Sequence, residues 1–290
     1  MPYDHKDFGI DLPEDYGILT YYDKYGIYHE EKVISENGGE SKPCHRERAS
    51  CRKRDQLQYM RDILLIIPAY NEEQSIVETV TAIRKFNRKR KRKVDFIVID
   101  DGSTDRTAEL LRLFHIPCIH MESNRGIGGA VQQGYRYAKE KNYKYAVQFD
   151  GDGQHGIEYI YDVIAPIERG EADMVIGSRF AGLRSYYTPG VFRRIGICWI
   201  SLLIRLKTGQ VIKDPTSGYR AVGAFGMEAF ANDYPARYPE PESCARLLRQ
   251  GKRVREVPVK MHKRSGGKSS IYSWRKIEYM LMVSMGILRA

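Results

Sequence analysis

Two residues stand out for the chemistry they could do. Asp150 and Asp152, one residue apart, close the apolar run Tyr145-Ala-Val-Gln-Phe149 and sit beside Gly151 and Gly153. A β-prone run that stops in Asp-Gly-Asp delivers two carboxylates to one sheet edge, and the glycines let other groups approach the backbone. Paired hard oxygen ligands suit Mg2+ or Mn2+, ions that usually complete their shell with substrate phosphates. Asp-Gly-Asp-Gly is equally good turn chemistry, so this stretch alone leaves both readings open.

The elements that must position these carboxylates follow from the hydrophobic pattern. Ile63–Pro68 is a continuous apolar run, as expected of a strand buried on both faces of a parallel sheet. Ile76, Val77, Val80, Ile83 and Phe86 then fall at helical spacing, and Val94–Ile99 is a second apolar run ending in Asp100-Asp101. The rhythm continues with a helix over Thr104–Phe114, a strand over Pro117–Met121, a helix over Gly128–Glu140 and the strand Tyr145–Phe149. A helix over Glu158–Glu168 and a strand over Asp173–Ile176 follow. Repeated β-then-α units predict an α/β fold with an open, mostly parallel, Rossmann-like sheet flanked by helices. Ligands of such sheets bind beyond the carboxyl ends of the strands. Tyr70-Asn71-Glu72, Asp100-Asp101 and Asp150/Asp152 should therefore line one edge.

The 290 residues leave room for one large α/β domain or a domain plus an appendage. A hydrophobic content of 42% and a charged content of 29% are ordinary for a globular chain. The net charge of +10 points to anionic company: nucleic acid, acidic lipid headgroups or phosphorylated substrates. Residues 1–60 are net acidic and rich in Tyr and Gly, so the positive surplus lies in the remainder. They read as an extension with a short hairpin over Tyr16–Tyr28 and a linker after it, leaving residues 61–290 as the main domain. Arg84 to Lys93 is almost wholly basic but joins a helix end to a strand start, which puts it at the edge opposite the carboxylates. It has no aromatic platform and no recognised nucleic-acid module beside it, which argues against nucleic acid as a partner. The five cysteines show no repeated spacing and no apolar leader precedes them, which favours a reducing, cytoplasmic setting. Cys44-His45 and Cys51 are half of a metal site at most. No stretch has the length of a membrane span.

Several motifs then occur together in order. Ile66-Ile67-Pro68-Ala69-Tyr70-Asn71-Glu72-Glu73, Val98-Ile99-Asp100-Asp101-Gly102-Ser103-Thr104-Asp105, Asn124-Arg125-Gly126-Ile127-Gly128 and Phe149-Asp150-Gly151-Asp152-Gly153-Gln154-His155 precede Gly177-Ser178-Arg179-Phe180. Asp214-Pro215-Thr216-Ser217-Gly218-Tyr219-Arg220, Tyr238-Pro239-Glu240-Pro241-Glu242 and Arg264-Ser265-Gly266-Gly267-Lys268-Ser269-Ser270 complete the set. Over about residues 61–290 it resembles family 2 glycosyltransferases of the GT-A fold, in the branch of dolichyl-phosphate mannose synthase and the polyprenyl-phosphate glycosyltransferases.

The resemblance implies roles residue by residue. Pro68, Tyr70 and Glu72 match the first nucleotide-binding loop, and Asp101 matches the position that reads the base edge of a UDP- or GDP-hexose. Arg125 and Gly128 open a helix whose N–H groups would anchor the nucleotide, although glycines there equally serve tight helix–sheet packing. Asp150, Asp152 and Gln154 match the metal-binding sequence, with Mg2+ or Mn2+ bridging the diphosphate. Arg179 and, in a flexible basic loop, Arg264 and Lys268 would answer the charge of the leaving group. Asp214, Ser217 and Arg220 match the acceptor side, with Arg220 available to an acceptor phosphate. Glu240 or Glu242 would position an acceptor phosphate or, for a hydroxyl acceptor, remove its proton.

Two apolar stretches, 191–206 and 271–288, carry aromatics and basic flanks. They read as amphipathic helices that lie in a membrane surface or pack against the domain or another subunit. The implied activity is inverting, metal-dependent transfer of a hexose from a nucleotide-sugar to polyprenyl phosphate, feeding cell-surface glycan assembly from the cytoplasmic membrane face. Partners left open are a small membrane protein and a second copy of the chain. The rivals are transfer to a hydroxyl of a growing polysaccharide and an inactive nucleotide-sugar-binding scaffold.

Overall fold

The structure, a computed structural model, describes residues 17–22, 28–33, 62–182, 190–261 and 275–290. Arg264, Lys268 and the Cys44-His45/Cys51 group lie outside the described residues. Two strands near the start, β1 (Gly17–Tyr22) and β2 (Tyr28–Val33), pair antiparallel with Tyr22 opposite Tyr28.

The main body alternates strands and helices. In chain order these are β3 (Ile63–Ala69), α1 (Ile76–Arg88), β4 (Asp95–Asp100), α2 (Thr107–Leu113), β5 (Cys118–His120), α3 (Gly126–Glu140) and β6 (Tyr145–Gln148). A 3-10 turn at Ile157–Tyr159 leads into α4 (Ile160–Glu168), followed by β7 (Met174–Ser178), α5 (Val191–Thr208), β8 (Arg220–Val222) and α6 (Ala224–Asn232). The chain then forms α7 (Pro239–Arg249), β9 (Val254–Pro258) and α8 (Arg275–Arg289). The seven-stranded sheet runs β5-β4-β3-β6-β8-β7-β9. Only β8 pairs antiparallel, on both its sides.

Strand residues alternate between two cores, as the period of two requires. Leu64 and Ile66 of β3, with Ile97 and Ile99 of β4, face a layer built by α3, α5, α6, α7 and α8. Ile63, Leu65 and Ile67, with Val98, face α1, α2 and α4. Both faces are covered, which explains the unbroken apolar run at 63–67.

Some element boundaries differ from those that the sequence predicts. The helix expected over 104–114 begins only at Thr107, because Asp105 accepts the Thr107 N–H and a bond from the Glu73 N–H, holding a loop. The basic run at 84–93 is partly structural. Arg84 donates to the carbonyls of Phe114 and His115, and Arg92 pairs with Asp62 and Glu168. No helix among the described residues is long and apolar enough to cross a membrane.

Helix α3 crosses β3 closely at Gly134, where a Cβ would lie 2.1 Å from Ile66 Cγ2. Alanine at a helix interior normally stabilises by about 1 kcal/mol over glycine. Here overpacking of roughly 1–3 kcal/mol outweighs it. Gly134→Ala should lower the urea midpoint with an unchanged m-value.

Candidate active site

The carboxyl edge of the sheet carries the expected loops side by side, because Ala69 pairs with Asp100, Asp100 with His120, and Ile66 with Gln148. The loops after β3 and β4 are clasped. Asn71, at φ 56°, accepts the N–H of Thr104 (2.8 Å) and of Asp105 (3.3 Å), and its own N–H donates to Ser103 Oγ (3.0 Å). The Glu72 N–H donates to Thr107 Oγ1 (2.9 Å), while its carboxylate accepts from Ser75 Oγ (2.6 Å). Tyr70 stays 45% exposed beside the half-buried Pro68, a platform on which a base can stack. The sequence places Asn71 at this edge but assigns it no role. Asparagine tolerates the left-handed backbone of this clasp better than most residues.

Behind these loops, Asp100 is buried and divides its oxygens between the Ser103 N–H (3.1 Å) and His120 Nδ1 (2.9 Å). Cys118 Sγ lies 3.2 Å from the other imidazole nitrogen. Burial pushes the Asp100 carboxyl upward, but the bonds from His120 and Ser103 outweigh it and leave it below the usual range. Those from Asp100 and Cys118 raise His120 to about 10. Asp101 spends Oδ1 on the Arg125 N–H at 2.7 Å, tying the start of α3 to the end of β4, and burial raises its carboxyl. Gly128 is a correction in favour of packing. A Cβ there would lie 2.0 Å from the Pro235 carbonyl oxygen, so the chain itself covers that face of the helix start.

The central loop is held from several sides. The Asp150 N–H donates to His155 Nδ1 at 3.0 Å, and His155 Nε2 lies 3.4 Å from Asp150 Oδ2. Burial pushes His155 down to about 4, so it is a neutral ring with its proton on Nε2. It stacks on Tyr219 with centroids 4.9 Å apart. Thr79 Oγ1 donates to the Gly151 carbonyl (3.1 Å), and Asp152 Oδ1 accepts the Gln154 N–H (3.0 Å). Gly218 backs the Asp150 carboxylate, 2.6 Å from where a Cβ would stand. Among the described residues no group of three or more His, Cys, Asp or Glu is arranged to hold a metal alone. Two carboxylates and an amide fit Mg2+ or Mn2+ in the manner of ions that keep waters and substrate phosphates as further ligands.

On the acceptor side the structure corrects three expectations. Arg220, expected to take an acceptor phosphate, is 1% exposed. Its guanidinium donates to the carbonyls of Ser217 (2.8 Å), Pro215 (2.6 Å) and Glu240 and to Ser243 Oγ (3.2 Å). It braces backbone instead. Asp214 is fully buried and forms a two-pronged pair with Arg179, at 2.8 and 2.6 Å, so its carboxylate lines no open pocket and Arg179 is held from within. Ser217 likewise donates inward, to the Gly177 carbonyl at 2.6 Å.

Glu240 and Glu242 separate clearly. Glu242 pairs with Arg246 (2.6 Å) and packs on Gly286 of α8. Glu240 accepts from Gln148 Nε2 (3.4 Å), itself joined through Oε1 to Tyr234 Oη (3.3 Å). Burial raises the Glu240 carboxyl, Arg220 opposes that, and the nearby negative charge of Asp150 adds to it. The carboxylate beside the Asp150 loop is therefore Glu240.

Residues 64–233 match the sequence profile described as Glycosyl transferase family 2. The chain belongs to that family. It is a glycosyltransferase. It is 29% identical over 250 residues to a UDP-N-acetylglucosamine–dolichyl-phosphate N-acetylglucosaminyltransferase of Methanococcus voltae, covering 77% of this chain and 96% of that one. With an undecaprenyl-phosphate mannosyltransferase of Micrococcus luteus it shares 31% identity over 218 residues, 72% of this chain and 87% of the relative. Among solved structures, glucosyl-3-phosphoglycerate synthase from Mycobacterium tuberculosis superposes with a TM-score of 0.60 at 19% identity, covering 84% of this chain and 85% of that one. A crystal structure of the same enzyme with Mn2+, uridine diphosphate and product gives 0.58 at 18% identity, covering 85% of each chain. The mostly parallel seven-stranded sheet flanked by helices is the GT-A fold.

The Asp100–His120 pair sets a pH window. The raised His120 stabilises fully below its unfolded value near 6.5 and loses that contribution as pH climbs to about 10. The lowered Asp100 contributes above 3.8 and fails as pH falls through its folded value. The stability gap between the native chain and His120→Gln, read by urea titration, should peak between those limits and close by about pH 10.

Proposed function

We propose that this glycosyltransferase moves a hexose from a UDP- or GDP-sugar to polyprenyl phosphate, by an inverting, divalent-metal-dependent displacement at the cytoplasmic face of a membrane. The observation that carries the proposal is the position of the Asp150–Gln154 loop. It lies between the clasped loops at 70–73 and 100–107 on one side and Glu240 with the 214–220 segment on the other. The names of the two relatives support the lipid-phosphate acceptor, and the manganese and uridine diphosphate in the structural neighbour support the donor chemistry.

Tyr70 and Asp101 would hold the base, and Asp150, Asp152 and Gln154 would hold Mg2+ or Mn2+. A cation bound there supplies positive charge against the departing diphosphate. The acceptor phosphate, already ionised near neutral pH, attacks the anomeric carbon from the opposite face. One carbon–oxygen bond forms as the bond to the nucleoside diphosphate breaks. No strong base is required, so Glu240 positions the acceptor. Arg264 and Lys268 remain candidates to cover the diphosphate.

A membrane surface as partner is supported by the exposed faces of α5 and α8. Ile195, Trp199, Leu202 and Leu206 stand at helical spacing on one, and Leu281, Met285 and Leu288 on the other, all exposed. Arg193, Arg194, Arg205, Lys207 and Arg289 around them are exposed too, which suits anionic headgroups.

A second reading, transfer to a glycan hydroxyl, has Glu240 in its favour, because a raised carboxyl beside the metal loop can act as a base. Incubation with labelled donor, polyprenyl phosphate and Mn2+ should put label into a chloroform-soluble, mild-acid-labile product. Asp152→Asn should lower that rate roughly 100-fold or more, and Glu240→Gln only modestly. Label found solely in water-soluble glycan, with Glu240→Gln inactive, would favour the hydroxyl reading instead.

A further inference from the structure

Glu240 lies in the first turn of α7, and the residues two before and two after it are both held by α8. Tyr238 caps the helix at φ 52° and ψ 54°, a left-handed conformation that is strained for a bulky residue and persists only where the surroundings impose it. Its ring meets that of Tyr279 edge-to-face, with centroids 4.5 Å apart and planes at 84°. On the other side Glu242, held by Arg246, presses its carboxylate against Gly286, where a Cβ would lie 2.6 Å from Oε2.

Tyr279 and Gly286 are seven residues apart and share one face of α8 with the buried Val283 and Ile287. The intervening turn, Pro239-Glu240-Pro241, has two residues with fixed φ and no N–H. It has little local freedom of its own, so contacts at its two ends act with the bonds from Arg220 and Gln148 to set where Glu240 points. The Tyr279 ring is the aromatic contact that opposes relaxation of Tyr238 to a negative φ. Such a relaxation would swing Glu240 relative to Gln148 and the Asp150 loop.

We propose that the Tyr238–Tyr279 contact is the joint through which α8 positions Glu240 for transfer, making both tyrosines positioning residues of the acceptor side. This rests on the reading in which Glu240 faces the acceptor. The environment of Tyr279 agrees: burial, and then Glu240 and Tyr238, hold its phenol above the ordinary value. It also assigns α8 two opposite faces with different tasks. One face grips α7, while Leu281, Met285 and Leu288 project from the other.

The test is a double-mutant cycle with Tyr238→Asn and Tyr279→Leu. Asparagine tolerates the left-handed backbone but lacks the ring. Each single variant should lower kcat for transfer roughly tenfold, with the donor KM within about twofold of the native value. The double variant should fall no further than the worse single, and Tyr279→Phe, which keeps the ring, should restore turnover. Hydrogen exchange read by mass spectrometry follows the joint without any activity. In Tyr279→Leu, amides over 238–244 should exchange faster while those over 145–155 do not change. Additive losses in the double variant, a donor KM that rises in step with the loss of kcat, or unchanged exchange over 238–244 would overturn the proposal. If the native chain transfers no sugar, the proposed function fails, and the exchange measurement still decides the joint.

Discussion

In-register parallel pairing of β3 with β4 and β6 is the constraint on which the site depends. β3 and β4 end at one level because Ala69 pairs with Asp100, and β6 stops three residues earlier, with Gln148 opposite Ile66. Both faces of these strands are buried in separate apolar layers. A one-residue slip would exchange those faces, so hydrophobic burial fixes the register and the register fixes the carboxylates. Asp100, Asp101 and Asp150 follow or end strands in this frame, and their spacing is a by-product of core packing.

Bringing acids together at a partly buried edge is unfavourable unless each is answered. Asp100 is answered by His120 and Ser103, Asp101 by the Arg125 N–H, and Asp152 by the Gln154 N–H. Asp214 is answered by Arg179. A buried pair of this kind is about neutral in net stability against apolar replacements, but removing one partner costs roughly 3–5 kcal/mol. Its value lies in geometry: it holds the 214–220 segment, which backs Asp150 through Gly218 and carries the ring of Tyr219 under His155. Arg220 continues the same scaffold to the start of α7 and so to Glu240.

Much of this was legible in the sequence. Apolar runs at 63–67 and 94–99, each followed by polar loop residues, announce buried strands with ligands at their ends, and the ordered motifs identify the family. The inward roles of Arg220 and Asp214 are not legible in sequence, because an arginine beside a Ser-Gly-Tyr turn looks the same whether it binds phosphate or its own backbone; only burial separates the two. β8 has three residues, too few for a periodic signal, so its antiparallel insertion was invisible. Gly128 offered two readings, and the carbonyls of Pro235 and Ala236, more than a hundred residues away, decide for packing. Glu240 and Glu242 stand two apart on a helix and must point in different directions. Which one meets the site depends on where α8 lies.

In the proposed function, two carboxylates after the end of β6 would hold a divalent ion together with a nucleoside diphosphate. Titration calorimetry of Mn2+ with and without uridine or guanosine diphosphate tests this directly. The account predicts weak Mn2+ binding to the protein alone and much tighter binding with one diphosphate, lost in Asp152→Asn. Equal Mn2+ affinity with and without nucleotide, or full retention in Asp152→Asn, would contradict it.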